Sequence, residues 1–158
     1  MVTIFLIDDL IQYLNDQFES DARLPTSKKP MGYSAYNQEK IKDRTKTYFV
    51  VQCLDNMPKD ETFIKVETLR MGIQIDIFAL KGEFDGKQYL AQEMAMILQD
   101  LVSAYMEELK YGGANQNIRL MRKIVGTPSM PFEQGTKAYY SPLRYDLTIT
   151  SNYEKVYD

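Results

Sequence analysis

The stretch from Gly86 to Tyr111 constrains the fold of this chain more than any other. Leu90, Met94, Ile97, Leu98, Leu101, Tyr105 and Leu109 recur at steps of three and four, so they share one helical face. Gln92, Glu93, Gln99, Asp100 and Glu107 fall mostly on the other. Asp85 reads as the N-cap, and Gly112-Gly113 supplies a residue able to take the left-handed conformation that ends helices. A helix with a single apolar stripe needs a sheet to bury it against. Strand-like segments lie on both sides of it in the sequence.

Those segments read as follows. Thr45 to Leu54 is β-branched and aromatic, and Tyr48-Phe49-Val50-Val51 is apolar on both faces, which predicts a central strand. Asp55 to Asp60 is turn chemistry, with Pro58 among Asx residues. A strand near 62–69 is expected to run into a longer one near 70–80, where Ile73, Ile75 and Ile77 alternate with Gln74 and Asp76; Gly72 marks a bulge or a break between the two. Beyond the helix, Asn117 to Val125 reads as a strand and Gly126 to Thr136 as a loop. Ala138 to Thr150 has the cleanest alternation, with Leu143, Tyr145, Leu147 and Ile149 on one side. Pro142 suggests that this strand is just beginning or lies at an edge.

At the other end of the chain, Thr3 reads as the cap of a helix to about Phe18, with Ile4, Ile7, Leu10, Ile11, Leu14 and Phe18 as its stripe. Asp8 and Asp9 sit in its early turns, where the helix dipole favours acids. From 20 to 44 the periodicity disappears, and the segment reads as a long basic loop carrying Lys28, Lys29, Met31, Tyr33 and Tyr36. Tyrosines among bases suit stacking on single-stranded nucleic acid, a protein interface, or simply a mobile loop. Residues 151–158 are polar and read as a frayed tail. The whole predicts one α+β domain over 1–158: a mostly antiparallel sheet of about four to five strands with two helices packed on it, in the order α-β-β-β-α-β-β.

Composition removes several function classes. The chain has 158 residues, 44% hydrophobic and 26% charged, with a net charge of −3, so generic attraction to nucleic acid or anionic membrane is not expected. No apolar run approaches the roughly 20 residues of a membrane span, and the N-terminus does not read as a signal peptide. There is no His and a single Cys53, which withholds the commonest general base and any Cys-rich metal cluster. Asp8 and Asp9 point about 100° apart on a helix and cannot converge on one substrate. Gly112-Gly113 follows a helix and so is no phosphate loop. No catalytic, cofactor-binding or metal-binding set emerges, and no enzyme is expected. The strands also show no clear aromatic stacking pair.

The opening amphipathic helix, the Tyr48-Phe49-Val50-Val51 strand ending in Leu54-Asp55-Asn56-Met57-Pro58, and the Ile73-Gln74-Ile75-Asp76-Ile77-Phe78 strand leading by a short turn into the long helix resemble the tail terminators of long-tailed (siphovirus-type) phages. These are also called tail-completion or minor capsid proteins. The resemblance is one of element order over most of the chain, without an invariant motif. It implies a structural virion protein at the neck, made in the host cytoplasm, that needs no cofactor and no membrane. Such a protein forms a homo-oligomeric ring, of about six subunits, closed by heterologous contacts. Its partners are the tail tube protein and the head connector or head-completion protein, with DNA only as cargo passing through. Interface positions are then expected in the two loops, at Lys28, Lys29, Met31, Tyr33, Tyr36, Met130 and Phe132. The alternative is a small α+β nucleic-acid-binding or other protein-interaction module, using the sheet face or the basic loop.

Overall fold

The structure is a computed structural model and describes residues 2–35, 46–58, 68–111, 118–126, 130–131 and 138–150. Helix α1 (Val2–Ser20) is followed by a 3-10 turn at Thr26–Lys28 and strand β1 (Met31–Ser34). Strands β2 (Tyr48–Pro58) and β3 (Thr68–Ala79) come next, then a small hairpin of β4 (Gly82–Phe84) and β5 (Lys87–Tyr89). Helix α2 (Ala91–Tyr111) leads to β6 (Ile118–Gly126), β7 (Met130–Pro131) and β8 (Tyr139–Thr150). The main sheet runs β1-β2-β3-β8-β6, with β7 also paired to β8. The fold is α+β in the expected element order. The sheet is mixed, because β1 joins β2 in parallel while every other pairing is antiparallel.

Both helices cover one face of this sheet, α1 over β1 and β2, α2 over β3, β8 and β6. Leu6, Ile7, Leu10, Leu14 and Phe18 of α1 meet Phe49 and Val51, and Met94, Leu98, Leu101, Val102 and Tyr105 of α2 meet the inward Ile73, Ile75, Ile77, Leu143, Tyr145 and Leu147 in one continuous cluster. Period 3.6 on the helices and period 2 on the strands thus deliver their apolar residues to the same layer. Each Leu or Ile buried there contributes about 1.5–3 kcal/mol relative to exposure.

Several sequence expectations are corrected. The 20–44 segment is not one long loop, since β1 lies inside it. Four residues are too few for a readable alternation, and what holds β1 is tertiary. The Gly32 N–H donates to Asn15 Oδ1 of α1 (2.9 Å), and a Cβ at Gly32 would stand 2.3 Å from carbons of the Phe49 ring, so only glycine fits. The long helix starts at Ala91, five residues later than its pattern suggested. Asp85 and Gly86 have φ of 52° and 81° and form the two-residue turn between β4 and β5, a geometry that suits an Asp-Gly pair. Leu90 is therefore the cap residue, 70% exposed rather than part of the stripe, and its N–H donates to the Glu93 carboxylate (3.0 Å) in half of a capping box. At the N-terminus, Thr3 lies inside α1 rather than capping it.

On the strands, β3 runs unbroken through Gly72. The irregularity sits on its partner, where the register steps from Cys53↔Ile73 to Asp55↔Gly72 and leaves Leu54 as the extra, exposed residue of a bulge. Pro142 is in neither an edge strand nor a strand start, because β8 lies between β3 and β6. On that second side, pairing with β7 stops at Tyr140 and pairing with β6 begins at Leu143, so among the described residues the proline falls where no partner is paired to take an N–H. The 126–136 loop includes Met130 and Pro131 as β7. The expectations for 36–44, 62–67, 112–113 and 151–158 lie outside the described residues.

Candidate interaction surface

The second face of the sheet, with no described helix on it, gathers most of the polar and aromatic side chains that the alternation left over. Tyr48, Phe78 and Tyr140 stand directly opposite one another on β2, β3 and β8. Their rings stack at centroid distances of 4.8 and 5.3 Å, and Tyr33 of β1 meets Tyr48 edge-on at 6.4 Å. This corrects the expectation that the strands hold no aromatic pair: the partners are far apart in sequence, and only the register aligns them. The row does not offer a stacking platform, however. Tyr48 and Phe78 each have a ring on both sides, so their faces are already occupied.

Beside the row lies a hydrogen-bonded cluster centred on buried Asp76. Its carboxylate accepts from Gln52 Nε2 (2.9 Å), Gln74 Nε2 (2.7 Å) and the Tyr140 hydroxyl (2.7 Å), and Arg144 Nε donates to Gln74 Oε1 (2.8 Å). Burial, and then the bond to Asp76, push the Tyr140 hydroxyl up to about 12. A carboxylate with three donors directed at it is held in place. At the far end, Arg70 and Asp146 form a half-exposed ion pair (2.6 Å), worth at most about 1 kcal/mol.

A second cluster ties the two helices together at the end of α1. The Asp21 carboxylate accepts from Tyr105 OH (2.6 Å), Arg23 Nε (2.9 Å), Arg23 Nη2 (2.8 Å) and the Arg23 N–H (3.1 Å). The Arg23 bonds in particular hold the Asp21 carboxyl well below the usual carboxylate range, while burial and the bond to Asp21 hold the Tyr105 hydroxyl well above its usual value. The Arg23 guanidinium lies over Phe84 (5.1 Å), and its carbonyl accepts from the Asp85 N–H (2.8 Å), so the β4–β5 hairpin is held by the same residue. Tyr13 OH donates to the Tyr105 carbonyl (2.7 Å).

The interface positions expected from sequence are dispersed by this fold. Met31 is 52% exposed on the sheet's β1 edge, and Tyr33 is half-buried in the ring row. Lys29 is engaged within the subunit: its ammonium donates to the carbonyls of Phe18 (3.0 Å), Glu19 and Asp21 (3.1 Å), capping the C-terminus of α1. The backbones of Lys28 and Met130 lie in the 3-10 turn and β7, while their side chains, Tyr36 and Phe132 fall outside the described residues. Sequence reasoning passed over Leu120 and Ile124, which are 53% and 48% exposed on β6 beside Arg122 and Lys123. Their exposure follows from the bulges of β6 and leaves no signal in the sequence pattern. No protein-family model matches this chain, and no curated protein sequence matches it either. Among the described residues no group of three or more His, Cys, Asp or Glu is arranged to hold a metal ion, and no helix is long and apolar enough to cross a membrane.

Proposed function

We propose that this chain is a structural assembly protein of a long-tailed phage, forming a ring that caps the tail tube and joins the tail to the head connector. The observation that carries the reading is the element order: an opening amphipathic helix, β2 ending in Leu54-Asp55-Asn56-Met57-Pro58, and β3 turning through a short hairpin into the long helix α2. That is the order on which the resemblance to tail terminators rests. The polar clusters add support, because the carboxylates of Asp21 and Asp76 are engaged in holding elements together, as a scaffold requires. Exposed Met31, Leu54 and Leu120 offer apolar contacts on a subunit that works only in an assembly.

The test is light scattering and negative-stain microscopy of the intact chain, with and without tail tubes. Rings are expected, of about six subunits, closed by a heterologous contact. They should form in solution or at tube ends. A monomer that never forms rings and never marks tube ends overturns the reading.

A further inference from the structure

The helix at one end of the sheet and the strand at the other carry opposite charge. At one end α1 lies over β1 and β2, and its outward side presents Asp8, Gln12, Asp16 and Glu19. The 19 residues of this helix include no Lys or Arg. At the other end, β6 carries Arg119, Arg122 and Lys123 and no acid. Exposed Leu120 and Ile124 flank its exposed bases.

β6 is the last strand of the sheet path, yet it is a poor template for simple strand addition. Its register with β8 shifts twice, between Ile118 and Leu120 and between Lys123 and Val125, and such bulges twist an edge away from continuous pairing. Contact at this end must therefore be made by side chains. Leu120 and Arg122 lie opposite Thr148 and Asp146 of β8 on the helix-free face, and Asp146 is already held by Arg70. Lys123 reaches the other way to Ser103 of α2 (3.1 Å). The bases thus border the edge from both faces, with Leu120 before them and Ile124 after them along the strand.

We propose that β6 of one copy docks on α1 of the next, placing Arg122 and Lys123 against Asp8 and Asp16, with Leu120 and Ile124 packed along the helix. This contact is the subunit interface of the ring and rests on the ring reading. The two surfaces match in length. Asp8 to Asp16 spans eight residues of helix, about 12 Å at 1.5 Å each, and Leu120 to Ile124 spans four residues of strand, about 13 Å. Because the two patches are different and lie at opposite ends of the sheet, each copy uses one to hold each neighbour. That arrangement is head-to-tail, the type that closes into rings.

The experiment compares the intact chain with two charge-reversed forms, under whichever condition, free or tube-bound, the intact chain assembles. One form carries Arg122→Glu and Lys123→Glu; the other carries Asp8→Lys and Asp16→Lys. All four positions are exposed or peripheral, and circular dichroism melts check that both forms fold. Each form alone sets like charges across the contact and should assemble on the order of tenfold more weakly or not at all. Mixed in equal amounts they should assemble again, since an alternating ring restores opposite charge at every contact. Added salt should weaken the intact chain's assembly and the mixture's alike. Assembly of the intact chain with no loss in either form, or with no recovery on mixing, overturns this interface and leaves the ring reading standing. Failure of the intact chain to assemble at all overturns both.

Discussion

Removing the Asp21 carboxylate should cost more than any other surface-lying polar substitution in the fold, because three elements converge on it. Asp21 sits at the end of α1 with its side chain only 8% exposed, and it accepts from Tyr105 of α2 and from Arg23, which in turn holds the hairpin. The Tyr105 bond is charge-assisted and shielded, so it contributes about 1.5–3 kcal/mol. The Arg23 pair adds at most about 1 kcal/mol, because its guanidinium is half exposed. Asp21→Ala should therefore lose about 2–4 kcal/mol, and Tyr105→Phe about 1.5–3 kcal/mol, with the ring still packed edge-on against Phe18. Because the two substitutions remove one shared bond, the double variant should lose less than the sum, by about 1–2 kcal/mol. The acid side gives an independent check. The native carboxyl titrates below its ordinary value of 3.8, so its contribution is complete above that pH and is lost as pH falls towards the native pKa. Asp21→Asn should flatten this acid slope. Urea unfolding across a pH series measures all of these quantities. A loss below about 1 kcal/mol for Asp21→Ala, or strict additivity with Tyr105→Phe, would refute the reasoning.

Three further outcomes are expected. Leu98→Ala, at a site 1% exposed where α2 meets the sheet, should lose about 2–5 kcal/mol in urea unfolding, whereas exposed Asp100→Ala should cost little. Gly32→Ala should force β1 or the Phe49 ring aside and lose about 1–3 kcal/mol, seen as a lowered urea midpoint and faster amide exchange in 31–34. At the alkaline end, the Tyr140 hydroxyl keeps its proton to about 12 against an ordinary 10.0, so its stabilisation is complete below pH 10 and lost as pH rises towards 12. Tyr140→Phe should reduce that alkaline slope in denaturant titrations without removing it, because Tyr105 is shifted in the same direction.

The layer of the protein that obeys a period is legible in the amino-acid sequence alone. The 3.6 spacing of Leu10, Leu14 and Phe18 and of Met94, Leu98, Leu101 and Tyr105, and the alternation of Leu143, Tyr145, Leu147 and Ile149, are repeated responses to one buried layer, and every one of these residues is buried there. Fold class and element order follow from such patterns because each requires only local geometry and an apolar partner. What the chain conceals depends on residues brought together from a distance. Gly32 reads as loop punctuation until Phe49 is seen against it, and the four-residue strand it permits has no period to detect. Asp85 reads as a helix cap, whereas its positive φ, set by the pairing of β4 with β5, makes it the first residue of a hairpin turn. Lys29 reads as an interface base in a loop, but it closes the end of a helix that finishes nine residues earlier. The ring row of Tyr33, Tyr48, Phe78 and Tyr140, and the placing of acids on α1 and bases on β6 at opposite ends of one sheet, depend on strand order and register. A single sequence carries no local signal for either, because neighbours across a sheet are chosen by the topology of the whole chain.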